Sequence, residues 1–283
     1  MFDGKTFVLG VIGDPISHSL SPVMHNRAIQ HLELNYCYLP FHVKTEDLEE
    51  GIKGVKSLNI KGINVTSPHK EKVIDHLDKL SQDAKNIGAV NTIVREGDGL
   101  AGYNTDGEGF VESIKEKGFN PKGKIVAIIG TGGAAKSVGY SLLKHDVSEL
   151  RIINRTLEKA ENLAGDLKGY CDKDRVNPLE LNQEKLKGKL GGVDLVINGL
   201  PMDPVTEAGD WMVPLNELKT DGLAVDFRYK PRESGFLKAC REKGLETMNG
   251  SMMLLYQGVI AFEYFTSQKA PVEEMKKSLL ENT

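Results

Sequence analysis

The stretch that most restricts the fold is Lys124-Ile125-Val126-Ala127-Ile128-Ile129, an almost unbroken apolar run. It ends in Gly130-Thr131-Gly132-Gly133-Ala134-Ala135 and passes into a helical pattern that continues to about Lys144. Such a run suits a parallel strand covered on both faces. Gly130, Gly132 and Ala135 fit G-x-G-x-x-G/A in a strand, turn, helix setting. In that setting the backbone of Gly130, Thr131, Gly132, Gly133 and Ala134 closes on a pyrophosphate at the helix N-terminus. The spacing alone is weak evidence; the flanking patterns strengthen it.

The next strand, Leu150-Arg151-Ile152-Ile153, exits into Asn154-Arg155-Thr156. Folds that take NAD place an acid here for the ribose 2′-hydroxyl. A guanidinium in its place suits a 2′-phosphate through a forked, charge-assisted contact, which favours NADP. The other reading of Arg155 is an exposed side chain on a βα loop. Lys159, one turn further on, adds positive charge. Apolar runs at 193–198, 222–227 and 245–248 supply more strands of the same sheet.

The first part of the chain alternates in the same way. Strands are expected at 7–13, 36–43 and 62–66, with a helix at 46–56, so βαβαβ implies a parallel sheet with helices on its faces. A hairpin is expected through 87–103, turning at Gly97-Asp98-Gly99. After the first strand comes Ser17-His18-Ser19-Leu20-Ser21-Pro22, then helical spacing of Val23, Met24, Ala28 and Leu32. Ser21 is the expected N-cap and Pro22 the first helical residue. Ser17 and Ser19 are then spare hydroxyls at the strand edge where ligands of α/β sheets bind. A plain polar turn is the alternative.

Gly62-Ile63-Asn64-Val65-Thr66-Ser67-Pro68-His69-Lys70 reads as strand, turn and helix, with Ser67 as N-cap and Lys70 in the first helical turn. A cation there opposes the helix dipole and loses its proton more easily. An ordinary Lys titrates near ~10.4, so such a position suits a proton shuttle. A solvated Lys balanced by Glu71 is the alternative. Asn91 sits between small apolar neighbours and offers two donors and an acceptor. Asp106 opens a helix, which suits either capping or a carboxylate held beside a cleft. Gln257 shares a helix face with Met253, Ile260, Ala261 and Tyr264. It therefore needs a partner, either a backbone carbonyl or a ligand.

At 283 residues, 40% apolar and 27% charged, the chain is of globular composition and long enough for two domains. A net charge of -4 gives no basic footprint for nucleic acid or an acidic membrane. Cys37, Cys171 and Cys240 are scattered, with no metal spacing or disulfide framework, which fits a reducing cytoplasm. No metal is expected. The apolar run at 7–12 is too short to span a membrane.

Taken together and in order, these motifs resemble the shikimate dehydrogenase family over essentially the whole chain. The carriers are Ser17 to Pro22 with Met24-His25-Asn26, Asn64-Val65-Thr66-Ser67-Pro68-His69-Lys70, and Gly88-Ala89-Val90-Asn91-Thr92. They continue with Gly102-Tyr103-Asn104-Thr105-Asp106-Gly107, the Gly130 turn, Asn154-Arg155-Thr156, Asp226 with Tyr229 and Pro231, and Gly250 with Met253, Leu254 and Gln257. The resemblance implies an NADP-dependent oxidoreductase of aromatic amino-acid biosynthesis that interconverts 3-dehydroshikimate and shikimate. It implies Lys70 and Asp106 as the catalytic pair, and Ser17 and Ser19 on the substrate carboxylate. Thr66, Asn91, Tyr229 and Gln257 would contact the ring and its hydroxyls. The glycine turn, Asn154, Arg155 and Thr156 would hold NADP, with Gly250 and the Phe227 backbone near the nicotinamide.

The implied fold has two α/β domains. Residues 1–104 with 249–283 form an open, mostly parallel substrate-binding domain, and 105–248 a Rossmann-like NADP-binding domain. The final helix returns to the first. One stretch departs: the family shows N-[TA]-[TS]-P-x-G-M where this chain has Asn198-Gly199-Leu200-Pro201-Met202-Asp203-Pro204. Ser234 stands where Thr is common. Two rivals are a quinate-accepting dehydrogenase of the same family, and a non-catalytic NADP-responsive regulator. Arg155 counts against an NAD-using version of the first, and intact Lys70 and Asp106 against the second. The implied partner is a small-molecule substrate, with the chain a cytoplasmic monomer or homodimer.

Overall fold

The computed structural model describes residues 2–206 and 213–283. The chain splits into two compact units, Met1–Gly109 with Leu254–Asn282, and Phe110–Met253. The breaks fall inside two helices rather than in linkers.

The first unit contains β1 (Phe7–Gly13), α1 (Ser21–His31), β2 (Tyr36–His42), α2 (Leu48–Ser57), β3 (Gly62–Val65), β4 (Lys79–Leu80), α3 (Gln82–Ile87), β5 (Thr92–Glu96) and β6 (Gly99–Tyr103). It also holds the start of α4 (Asp106–Glu116). Its six-stranded sheet has the order β2-β1-β3-β5-β6-β4. The β1–β2, β1–β3 and β4–β6 pairs are parallel, while β3–β5 and β5–β6 are antiparallel. The hairpin therefore lies inside the sheet, with the short β4 outside it. The α2 residues Leu48, Ile52 and Val55 recur at helical spacing and bury one stripe against Ile12, Ile63, Val65 and Ile93.

That reversal places the site. With Asn64 opposite Thr92, and Thr92 opposite Tyr103, β5 begins and β6 ends at the edge where β1 and β3 finish. The segments after β1, after β3, before β5 and after β6 all emerge there.

The second unit contains β7 (Ile125–Ile129), α5 (Gly133–Lys144), β8 (Glu149–Asn154), α6 (Leu157–Lys168), β9 (Val176–Glu180), α7 (Gln183–Leu186), β10 (Leu195–Asn198), β11 (Leu223–Asp226), α8 (Gly235–Glu242) and β12 (Glu246–Asn249). All its strand pairs are parallel, in the order β12-β11-β10-β7-β8-β9. This is the doubly wound dinucleotide order, with its switch point between β7 and β10. The apolar β7 run is buried as its composition demands. Ser234 caps α8 by accepting from the Leu237 N–H at 3.2 Å.

Two helices close the chain, α9 (Ser251–Thr266) and α10 (Val272–Leu280). Sequence periodicity shows the first of them and misses α10, as it misses the short α3. From Leu254 onward both belong to the first unit. No helix among the described residues is long and apolar enough to cross a membrane.

Both helix starts expected at Ser-Pro pairs need correction. Helix α1 begins at Ser21 itself, after Leu20, with no side-chain cap, so Pro22 is its second residue. No α-helix follows directly on β3. Residues 67–71 form turns that lead into a single 3-10 segment, Lys72–His76. The apolar residues Val73, Ile74 and Leu77 fit that segment as well as a longer helix, so periodicity could not separate them.

Candidate active site

Lys70 lies in the turn before the 3-10 segment, so the helix-dipole argument for it does not apply. The turn is fixed by other contacts. The His69 N–H donates to the Thr66 carbonyl at 3.0 Å, and the buried His69 ring donates Nε2–H to the Val43 carbonyl at 2.7 Å. The Lys70 carbonyl accepts from the Val90 N–H at 2.8 Å, which ties the turn to the segment entering Asn91. Lys70 Nζ then donates to Asp106 Oδ2 at 2.5 Å, with the Asp106 side chain only 7% exposed. Asp106 is the first residue of α4, and its N–H donates to Asn104 Oδ1 at 3.1 Å.

The other Asp106 oxygen, Oδ1, accepts from Asn91 Nδ2 at 2.8 Å. Asn91 is 2% exposed and fully engaged. Its Nδ2 also donates to Thr105 Oγ1 at 3.0 Å, and reaches Gln257 Oε1 at 3.4 Å. Its Oδ1 accepts from the Thr105 N–H at 2.8 Å and from Thr92 Oγ1 at 3.0 Å. Gln257 donates Nε2–H to the Leu254 carbonyl at 2.8 Å, so it has a backbone partner as well as a side-chain one. Tyr264, expected on the same buried stripe, is instead 44% exposed and stacks on Tyr103.

Thr66 follows β3, where its methyl packs against Gly13 at the end of β1. Ser17 is exposed on the loop after β1. Ser19 is half-buried, and it is not a spare hydroxyl: its oxygen accepts from the Ser21 N–H at 3.3 Å. The first unit thus brings Ser17, Ser19, Thr66, Lys70, Asn91, Asp106 and Gln257 into one body. Tyr229 lies in the second unit, where burial pushes its phenol up.

In the second unit the glycine turn has the conformation its motif requires. Gly130 has φ +108°, and a Cβ there would lie 3.0 Å from the Gly199 backbone across the switch point. Gly132 is the N-cap of α5 and has no side chain to offer; neither it nor Gly133 has anything within 4 Å of where a Cβ would be. The amides at this helix start therefore face room for an anion. Thr131 and Ala134 are half-buried beside them. At the exit of β8, Asn154 is buried with Nδ2 on the Thr156 carbonyl at 3.0 Å, while Arg155, Thr156 and Lys159 are exposed. A cation at the place of an acid fits a 2′-phosphate. Gly250 sits so close to Phe227 that a Cβ would stand 1.9 Å from its carbonyl oxygen. Only glycine fits that approach.

The loop after β10 is held by Asp203. Its carboxylate accepts from the N–H groups of Val205, Thr206 and Phe236 at 2.9 to 3.1 Å and from Arg228 at 3.2 Å. Burial pushes this carboxyl up, but those donors bring it below its ordinary value. Arg228 also binds the fully buried Asp226 at 2.8 Å.

Comparison with known proteins decides the family. Residues 11–93 match the shikimate dehydrogenase substrate binding domain, 112–200 match shikimate / quinate 5-dehydrogenase, and 250–280 match the shikimate 5′-dehydrogenase C-terminal domain. The chain is 45% identical over 279 residues to a shikimate dehydrogenase (NADP(+)) of Carboxydothermus hydrogenoformans, covering 98% of each. The chain belongs to the shikimate dehydrogenase family. A crystal structure of a shikimate dehydrogenase in complex with NADP+ superposes with TM-score 0.89 at 38% identity, covering 99% of this chain and 97% of the other. Shikimate 5-dehydrogenase from Listeria monocytogenes, in complex with shikimate and NAD, gives TM-score 0.89 at 33% identity, covering 98% and 97%.

Within this shikimate dehydrogenase framework, sequence reasoning missed Asn64, Thr92 and Thr105, all buried and all bonded to Asn91. Asn64 and Thr92 read as ordinary strand residues, and only their register opposite one another marks them. Thr105 carried a signal, since it lies between two site residues in Asn104-Thr105-Asp106.

Proposed function

We propose that this chain is an NADP-dependent shikimate dehydrogenase, reducing 3-dehydroshikimate reversibly to shikimate. The first unit binds the substrate and the second binds NADP. The observation that carries the reading is the pair of half-buried Lys70 and buried Asp106, 2.5 Å apart, with the second Asp106 oxygen capped by Asn91. An ammonium has three donors and Asp106 takes one. The others serve the oxygen that changes between ketone and alcohol. Lys70 protonates that oxygen in the reductive direction and accepts the proton in the oxidative one. Asp106, held on both oxygens, orients Lys70 and accepts from the neighbouring substrate hydroxyl.

Ser17 and Ser19 bind the substrate carboxylate, and Thr66, Asn91, Tyr229 and Gln257 bind the ring hydroxyls. The amides of the Gly130–Ala134 turn receive the pyrophosphate. Asn154, Arg155, Thr156 and Lys159 receive the adenosine 2′-phosphate, and Gly250 with the Phe227 backbone flanks the nicotinamide. NADPH, when bound, supplies the hydride. The chain works in the cytoplasm as a monomer or homodimer.

The test is steady loss of NADPH absorbance on addition of 3-dehydroshikimate, with quinate plus NAD as the comparison. NADPH consumption with 3-dehydroshikimate supports the assignment. Preferred turnover of quinate with NAD would replace it, and no turnover of either would leave a binding protein.

A further inference from the structure

Behind Asn91 the buried polar contacts continue away from Lys70, through residues with no assigned part in the reaction. Tyr38 is 0% exposed and donates its hydroxyl to Asn64 Oδ1 at 2.7 Å. Asn64 donates Nδ2–H to Thr92 Oγ1 at 3.1 Å and to the Asn91 carbonyl at 3.1 Å. Thr92, also 0% exposed, has one proton, and it goes to Asn91 Oδ1 at 3.0 Å. Asn91 donates to Asp106, which receives Lys70 on its other oxygen. Donation therefore runs in one direction, Tyr38 to Asn64 to Thr92 to Asn91 to Asp106.

The direction is not arbitrary. A backbone carbonyl can only accept, so the Asn91 carbonyl fixes which end of the Asn64 amide faces it. The remaining end, Oδ1, then needs a donor, and Tyr38 is the one in place. With Asn64 donating to Thr92, that hydroxyl must donate onward. The Tyr38 ring cannot swing away, because His25 stacks on it with ring centroids 4.3 Å apart and planes within 3°.

We propose that Tyr38 and Thr92 are positioning residues for the Lys70–Asp106 pair, acting through Asn64 and Asn91 without touching the substrate. Without the phenol proton, Asn64 Oδ1 is a buried, unpaired acceptor, and the amide is held at one end alone, by its bonds to the Asn91 carbonyl and the Thr92 hydroxyl. The Thr92 hydroxyl is then less firmly set, and with it its bond to Asn91 Oδ1. Asn91 gains freedom, and with it the oxygen of Asp106 that it caps. The inference rests on the dehydrogenase reading above and concerns its rate rather than its specificity.

Tyr38→Phe keeps the ring and its stack and removes only the hydroxyl. Loss of one aligned hydrogen bond at the pair lowers kcat for shikimate oxidation about fivefold or more, with the KM for NADP unchanged. Thr92→Val gives a similar loss, and Thr92→Ser, which keeps the hydroxyl, recovers most of it. The combination Tyr38→Phe with Thr92→Val costs no more than either change alone, because both cut one chain. In the ligand-free protein, the Asn91 side-chain NH2 protons exchange with solvent faster in Tyr38→Phe than in wild type. Variants with wild-type kcat and a lowered melting temperature would mean a merely structural role and overturn the proposal; so would additive losses in the double variant. If Tyr38→Phe does not fold, the contrast between Thr92→Val and Thr92→Ser decides alone, and equal kcat values reject the idea. A wild-type protein inactive on shikimate sinks the function itself and this inference with it. An active wild type with indifferent variants sinks only the inference.

Discussion

The polar groups around Asn91 and those around Gly130 differ in what satisfies them. In the first unit the amide of Asn91 has its hydrogen bonds filled from Thr92, Thr105, Asp106 and Gln257, all buried. In the second, the start of α5 has no side-chain cap, and open space stands over Gly132 and Gly133. One region is a fixed frame that needs no ligand to be stable. The other presents donors that water fills until a ligand takes its place. A proton-handling pair needs the former, because its geometry must exist before the substrate arrives. An anion site tolerates the latter, since amides at a helix end are already aligned by the helix.

Removing Lys70 gives the largest break in this contrast. Lys70→Ala lowers turnover by ~10²-fold or more, the usual size of a lost acid–base group, with the KM for shikimate little changed. Near-normal turnover would take Lys70 out of the mechanism. On the open side, Arg155→Ala weakens NADP by about ten- to a hundredfold, from ~1.5–3 kcal/mol for hydrogen bonds to a charged group. NAD, which has no 2′-phosphate, is nearly unaffected. The comparison is kcat/KM for both cofactors at fixed ionic strength, and an unchanged ratio would move phosphate recognition elsewhere.

His25 sharpens the contrast, being an exception inside the first unit. It is fully buried and neither ring nitrogen has a partner among the described residues. Burial lowers its pKa from 6.5 to about 3. The unfolded chain therefore takes up this proton first, so stability is full above pH 6.5 and falls as the pH drops towards 3. At pH 5 the loss is ~2 kcal/mol, roughly thirtyfold in the folding equilibrium. Urea unfolding at pH 8 and pH 5 measures it, and His25→Phe should flatten that part of the slope. A wild-type slope in the variant would assign the acid sensitivity to other groups.

The smallest effect belongs to the loop after β1. Changing Ser17 and Ser19 together to Ala raises the KM for shikimate about tenfold, for hydrogen bonds to a carboxylate that are partly exposed. An analogue without the carboxylate should lose much less. Equal losses for the two ligands would mean that the pair shapes the loop, as the bond from Ser21 to Ser19 already does in part.

The same contrast explains what could be read from the sequence. The dinucleotide turn was legible because strand, glycines and helix are contiguous, and because an Arg standing in for an acid is a local sign. Asn91 is legible as a polar residue between small apolar neighbours, Asp106 as a helix opener that capping alone would explain, and Gln257 as a polar residue on an apolar stripe, and only the family resemblance joins the three as site residues. What joins them in space is a sheet reversal that periodicity does not show: β5 runs antiparallel to β3. Lys70 is expected at the site on a helix-dipole argument that the structure does not support, since Ser-Pro followed by apolar residues suits a turn and a 3-10 segment as well as a helix. Tyr38 and Thr92 were invisible, because aromatic and β-branched residues in strands are the norm.

The division of the first unit between the two ends of the chain bears on the order in which the protein is made. The Thr105 hydroxyl donates to the Gln257 carbonyl 152 positions later, and everything from Phe110 to Met253 lies between. A ribosome delivers Phe110–Met253 before it delivers α9 from Leu254 onward. That unit, uninterrupted in sequence, is therefore free to fold first, while the sheet carrying Asn91 waits for its last two helices. A nascent chain then passes through a stage with a finished dinucleotide fold and an unfinished proton-handling site. Protease protection of ribosome-bound chains of increasing length reads this order directly, and protection of the first unit ahead of the second would contradict it.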